Sequence, residues 1–255
     1  MRPYALFLSV LFFVMICGEL RSQQDGQIFR MTPETRAMWE FNSFNTPPGI
    51  PLEEGTVVPD LSGNGNDAIV KNNGAGDMQP GLGTQLCEGD SSVSRIGPRG
   101  NAHVATNGDG SAFEFGENES FSLELYVIRE ENPGTQNWGI LAGTWHSRTL
   151  LNDTEAPDAN GAWYGYGYIR HNEGNGWYLN TSPINPDRTF TPSFNEIKSG
   201  IFDIPAGEHY LVSSMDRETG IGTVYLDGVE VAQVGIPPGL AFYTPEGAPG
   251  NPYDP

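Results

Sequence analysis

From residue 37 onward the chain alternates apolar and polar positions with a period of two. In "FSLELYVI" (121–128), Phe121, Leu123, Leu125 and Val127 share one face, while Ser122, Glu124 and Tyr126 share the other. This is the pattern of a half-buried strand. "EHYLVSSMD" (208–216) and "GTVYLDGVEVAQV" (222–234) predict further strands, with Asp227-Gly228 dividing the second segment into "TVYL" and "VEVAQV". Asp-Gly adopts positive backbone angles at little cost, so a tight hairpin turn is expected there. Strands are also expected at "AMWEFN" (37–42), "NDAIVK" (66–71), "SAFEFG" (111–116), "WGILAGTW" (138–145) and "AWYGYGYIR" (162–170). The polar stretches 72–110 and 147–161 read as long surface loops. Beyond the first 22 residues no segment sustains apolar positions three and four apart, and 33 Gly and 20 Pro supply many chain reversals. The expected fold is all-β, a two-sheet antiparallel sandwich with long loops and little helix. Neither an internal repeat nor a second domain is apparent.

The first 22 residues follow a different rule. Arg2 precedes an apolar run, "YALFLSVLFFVMICG" from Tyr4 to Gly18, and polar "ELRSQQDGQ" follows. A basic residue, roughly 15 apolar residues and then small ones describe a secretory signal peptide; a membrane span would need about 20. Cleavage is expected near Gly18 or Ser22, because Ile16 before Cys17 is not the small residue that lipoprotein processing prefers. Loss of Arg2, Arg21 and Glu19 turns 13 Lys+Arg against 32 Asp+Glu into 11 against 31, a net charge of −20. That field repels nucleic acid and anionic lipid, so neither a nucleic-acid partner nor membrane contact beyond the signal is expected. Divalent cations are attracted. Only Cys87 then remains, so a core must supply stability without an internal disulfide. Eukaryotic secreted modules of this size usually carry bridges, which points to a bacterial extracellular protein. The N-glycosylation patterns at Asn118, Asn152 and Asn180 would then be coincidence.

Four segments in order carry a family likeness: "MWEFN" (38–42), "VVPDLSGNGNDAIV" (57–70), "SFSLELYV" (120–127) and "GTVYLDGVEVAQV" (222–234). From about residue 37 to 236 the chain resembles the laminin-G-like jelly-roll family of the concanavalin A-like lectin/glucanase superfamily. The resemblance implies a jelly-roll topology for the sandwich, an extracellular binding role, and calcium at a sheet-edge loop. It also implies a closing strand of the type "DEVRIYNRAL", for which the final "PEGAPGNPYDP" offers no counterpart. The expected organisation is a signal peptide (1–22), an N-terminal linker (23–36), the jelly roll (37–236) and a Pro/Gly-rich tail (237–255). The tail is expected to pack loosely and to leave a sheet edge short of its partner, as in a truncated domain.

Residues 57–70 match three chemistries by letter. Gly63-x-Gly65-x-x-Ala68 fits a dinucleotide pattern, but "AIVKNNGAG" follows it instead of the helix needed to hold a pyrophosphate. Asp60, Ser62, Asn64 and Gly65 fit a helix-loop-helix calcium loop, yet Lys71 stands where the bidentate glutamate belongs. Two readings stay open. Asp60, Asn64, Asn66 and Asp67 would gather hard oxygens around one calcium ion, or the same side chains satisfy the backbone of a strand-turn-strand corner.

Catalytic signals are sparse. His103, His146, His171 and His209 are scattered with no His-Glu-x-x-His pair, and no Gly-x-Ser-x-Gly elbow occurs. The superfamily's glucanases carry Glu-x-Asp-x-Glu or Glu-x-Asp-x-x-Glu on one strand; here Glu88-Gly89-Asp90 continues to Ser92 and Val93. Aromatics stand out more. "GAWYGYGYIRHNEGNGWYLN" (161–180) places Tyr164, Tyr166 and Tyr168 on one strand face and Trp177 a short loop away, with His171 and Asn172 between. These six residues form either a sugar-stacking surface with polar groups at its rim or, for the tyrosines, part of the core. The expectation is a secreted, non-catalytic jelly-roll module that binds carbohydrate or another extracellular protein, assisted by calcium. The alternatives are a polysaccharide-active enzyme of the same superfamily (glycoside hydrolase or lyase) and a structural or adhesive module.

Overall fold

The alternation at 121–128 becomes a nine-residue strand, Phe121–Arg129, whose Phe121, Leu123, Leu125 and Val127 pack on the main core. The structure is a computed structural model that describes residues 31–41, 46, 50–71, 77–83, 91–96, 103–106, 110–129, 139–147, 163–170, 176–182, 197–239 and 241–242. The expected signal peptide lies outside the described residues. The described residues form fourteen strands, in chain order: β1 (Val57–Val58), β2 (Ala68–Lys71), β3 (Asp77–Gly83), β4 (Ser91–Ile96), β5 (His103–Thr106), β6 (Phe121–Arg129), β7 (Gly139–Ser147), β8 (Trp163–Arg170), β9 (Gly176–Ser182), β10 (Ile197–Lys198), β11 (Phe202–Asp203), β12 (Gly207–Asp216), β13 (Ile221–Leu226) and β14 (Val229–Gly235).

The chain is an all-β sandwich. One sheet runs β14-β13-β12-β6; the other runs β10-β9-β8-β7, with β11 also paired to β9. Two smaller sheets, β1-β2-β5 and β3-β4, lie outside this pair, and all the pairings are antiparallel. The main core joins the two larger sheets: Tyr168 and Leu179 come from one, and Leu211, Met215, Val224, Ala232 and Val234 from the other. Every second residue of β12 from Leu211 to Met215 is buried, as the sequence alternation requires. At the β13–β14 hairpin Asp227 (φ 51) and Gly228 (φ 80) both take positive angles, the signature of the primed turn expected from Asp-Gly.

Three expectations are corrected. Residues 37–42 form no strand among the described residues; Trp39 makes a single antiparallel bridge to Asp60. Residues 111–116 begin as a 3-10 turn, Ser111–Phe113, entered from Gly110 in the left-handed region, and Phe115 then bridges Phe242. The stretch 72–110, read as loop, contains β3, β4 and β5. Of the other expected loop, only Ser147 lies among the described residues.

Ala241 and Phe242 also depart from the expected loose tail. Ala241 is fully buried and Phe242 is 3 % exposed. Phe242 exchanges two backbone hydrogen bonds with Phe115 (3.0 and 2.8 Å) and joins Phe115, Tyr166 and Phe121 in a second core. Residues 243–255 lie outside the described residues.

Candidate functional site

The loop at 60–67 is a hydrogen-bonded clasp. Asp60 Oδ1 accepts from the Met38 (3.0 Å) and Ser62 (2.9 Å) amides, and Oδ2 accepts from Ser62 Oγ (2.8 Å) and the Asn66 amide (3.0 Å). Asp67 Oδ1 accepts from the Asp60 amide at 2.8 Å. The side-chain amides of Asn64 and Asn66 donate to the Arg36 carbonyl, Asn64 also to that of Thr35, and Trp39 Nε1 donates to the Asn66 carbonyl. Arg36 carries the connection onward. Its guanidinium donates to the carbonyls of Ala112 and Glu114, pairs with Glu119 at 3.1 Å and stacks 4.2 Å from the Phe115 ring centroid. The four residues expected at a calcium site are thus brought together, but the two carboxylates accept from amide and hydroxyl donors and the two asparagine amides donate to backbone carbonyls.

Calcium takes six to eight oxygens. Each Asp60 oxygen already accepts two hydrogen bonds, which fills the acceptor sites of an ionised carboxylate. Among the described residues no group of three His, Cys, Asp or Glu side chains is placed to share an ion. Asp60 does not join a calcium cage without breaking the clasp. Addition of calcium or EDTA is therefore expected to leave the unfolding temperature unchanged, whereas an occupied site at a hundredfold excess over Kd would add about 2.7 kcal/mol.

Asp60 has a second consequence. Burial raises its pKa, but the hydrogen bonds from Met38, Ser62 and Asn66 together outweigh burial and hold the carboxyl below the ordinary value of 3.8. A lowered folded pKa means that the stabilisation is fully present above the unfolded value and is lost as pH falls through the folded one. Asp60→Ala is expected to cost about 1.5–3 kcal/mol at neutral pH. The difference from wild type should shrink on acidification below 3.8; urea unfolding of both proteins across that range measures it.

On β8 and β9 the aromatics turn inward. Tyr168 is fully buried in the main core, and its hydroxyl reaches across the sandwich to the Leu123 carbonyl (3.5 Å) and to Ser213. Burial, the largest influence, pushes its pKa up. Tyr166 is 5 % exposed, donates to the Phe113 carbonyl at 3.3 Å and meets Phe115 and Phe242 edge-on. Trp177 is half-buried against the main core. Neither tyrosine ring lies open for a sugar to stack on. The glycines at the alternate positions 165 and 167 leave the bulk of β8 on its core side. Tyr178, on the opposite side of β9, is also buried, so the outer face of this sheet is covered there. His171 and Asn172 lie outside the described residues, as does the side chain of Tyr164.

The outer face of β6, β12, β13 and β14 is the better candidate. Tyr126 and Tyr210 stand opposite each other on β6 and β12, and each hydroxyl crosses diagonally to a glutamate of the other strand. Tyr126 donates to Glu208 at 2.5 Å, and Tyr210 donates to Glu124. One strand over, Tyr225 of β13 stands opposite Glu230 of β14. Glu124 and Glu230 are exposed, and the three tyrosines and Glu208 are partly exposed. Burial first, then the hydrogen bond and charge of Glu208 with the charge of Asp227, push the Tyr126 hydroxyl up to about 12. Burial and Glu124 raise that of Tyr210 in the same way. Both hydroxyls therefore remain protonated donors at neutral pH, and their bonds fix the rings across the strand pair.

The sequence carried a signal for this surface. In each of β6, β12 and β13 one outward position is tyrosine, on a face that mixes polar residues with Ile128, Val212 and Ile221. Only the register shows that Tyr126 and Tyr210 stand opposite each other, with Tyr225 diagonal to Tyr210 and opposite Val212.

No protein-family model and no curated protein matches the chain. The functional reading therefore rests on these faces and loops.

Proposed function

We propose that the chain is an exported, non-catalytic carbohydrate-binding module of laminin-G-like type, and that it binds on the outer face of its four-stranded sheet. The observation that carries this reading is the facing pair Tyr126 and Tyr210, with Tyr225 diagonal to Tyr210, on a solvent-facing sheet surface, each beside a glutamate. Sugar rings present apolar CH faces that stack on aromatic rings, and their hydroxyls need acceptors such as carboxylates nearby. Rings already locked by hydrogen bonds lose little further freedom on binding. Glu124 and Glu208 are each engaged by a tyrosine and stand four register positions apart. They do not face each other across one bond, as an acid and a nucleophile must. The apolar N-terminal run supports export, and the motif order from 38 to 234 supports the family likeness.

A glycan panel with wild type, Tyr225→Ala and Tyr210→Ala tests the proposal. Binding should weaken about tenfold or more for each variant, equivalent to about 1.4 kcal/mol, while the fold persists. Release of reducing ends would favour a polysaccharide-active enzyme instead. Silence in both assays would leave a structural or adhesive role.

A further inference from the structure

The same sheet face has a one-sided charge. Its three tyrosines stand beside Glu124, Glu208 and Glu230, and its four strands contain only two basic residues, Arg129 and His209. Both are turned away from that face. Arg129 pairs with Asp203 of β11 at 2.8 Å, and His209, on the same side of β12 as buried Leu211, bonds Asp227 at 2.7 Å. The outward positions of these strands thus carry carboxylates and no cation.

We propose that this surface selects glycans bearing protonated amino groups over neutral or acidic ones; the inference rests on the carbohydrate reading above. A 2-amino sugar stacked on a tyrosine places its ammonium beside the neighbouring carboxylate, where it gains a charge-assisted hydrogen bond. An ammonium over a tyrosine face is attracted further by the ring itself. The net charge of −19 draws such a chain in, and the same field repels uronic or sulfated polymers. N-acetylation removes the cation but keeps the stacking surface, which makes it the informative comparison.

The test measures the affinities of glucosamine oligomers, N-acetylglucosamine oligomers, galacturonic acid oligomers and a lysine oligomer. It is done at about pH 6, where the sugar amine is protonated. The glucosamine oligomer should bind about tenfold tighter than its N-acetyl form, the galacturonic acid oligomer should not bind, and added salt should erode the preference. A Glu124→Gln/Glu208→Gln variant keeps an acceptor for each tyrosine, so it should fold and lose most of the preference; Glu230→Gln should lose part of it.

Equal affinities, or a preference that survives the double variant, overturn the selectivity. If the N-acetyl oligomer still binds in a Tyr225-dependent way, the carbohydrate reading stands without it. Lysine oligomers binding as tightly as glucosamine oligomers, indifferent to Tyr225→Ala, would show plain attraction to basic chains and overturn it too. If no oligomer binds and the wider glycan panel is also empty, the carbohydrate reading fails and takes this inference with it.

Discussion

Gly167→Ala is expected to destabilise the sandwich by about 3 kcal/mol or more, at or beyond the upper end of ordinary overpacking. Gly167 and Gly143 face each other across β8 and β7. A Cβ at Gly167 would lie 2.4 Å from the Ala142 carbonyl oxygen and 2.8 Å from Gly143 Cα. One at Gly143 would lie 2.2 Å from the Tyr166 oxygen and 2.6 Å from Gly167 Cα. These are backbone atoms, so no rotamer change relieves the contact and the two strands must part. Gly167 also sits between Tyr166 and Tyr168, which enter two different cores. A shift of the strand therefore disturbs both. Gly235→Ala is the control, because a Cβ there meets nothing within 4 Å, and it should be near neutral. Denaturant midpoints of the two variants measure the contrast; a Gly167→Ala protein as stable as wild type would contradict the close approach of β7 and β8.

Phe242→Ala is expected to cost about 3–5 kcal/mol, the range for emptying a buried aromatic site. The Phe242 ring meets Phe121 edge-on at 5.6 Å and Tyr166 at 5.4 Å, and the Arg217 guanidinium lies 4.9 Å from its centroid. Burial lowers the Arg217 pKa, yet the group keeps a hydrogen bond to the Glu119 carbonyl and the ring contact. Loss of the ring opens a cavity bounded by Phe115, Phe121 and Tyr166 and also removes the apolar cover of that cation. Phe242→Leu should cost less, because most of the volume stays. Limited proteolysis offers an independent check. Wild type should resist cleavage up to Phe242, and Phe242→Ala should be cut within 237–242. Equal stability of Phe242→Ala and wild type would mean that the segment is not docked.

These two positions also mark where the sequence was readable and where it was not. β6, β12 and the β13–β14 hairpin were legible because each has one wet face and one dry face, so the period of two survives in the letters. Asp227-Gly228 was legible because its turn depends on local backbone angles alone. Phe242 was not. A single aromatic in Pro/Gly-rich surroundings has no periodicity, and its burial comes from partners more than 70 residues away in the chain, at 115, 121 and 166. β3, "DMQPGLG", hid for a related reason: Pro and Gly argue against strand locally. Its pairing with β4 accommodates them through a register shift between Pro80 and Gly83. Phe113 and Phe115 alternated convincingly, yet the chain turns at 111–113 to bring Phe115 against Phe242.

The candidate site divides in the same way. Asp60, Asn64, Asn66 and Asp67 do converge, and the turn reading of those letters describes their geometry. The tyrosines of β8 drew attention because three occur in five residues, whereas Tyr126 of β6 comes from a strand far in sequence from those that carry Tyr210 and Tyr225. A surface assembled across strands is visible only once the register is known.

The most direct test of the central claim is to follow backbone amide resonances while titrating in a glycan that binds. The account predicts shifts concentrated on β6, β12 and β13 around Tyr126, Tyr210 and Tyr225, abolished by Tyr225→Ala. Shifts concentrated instead at 60–67 or along 163–182, with the four-stranded sheet silent, would contradict it.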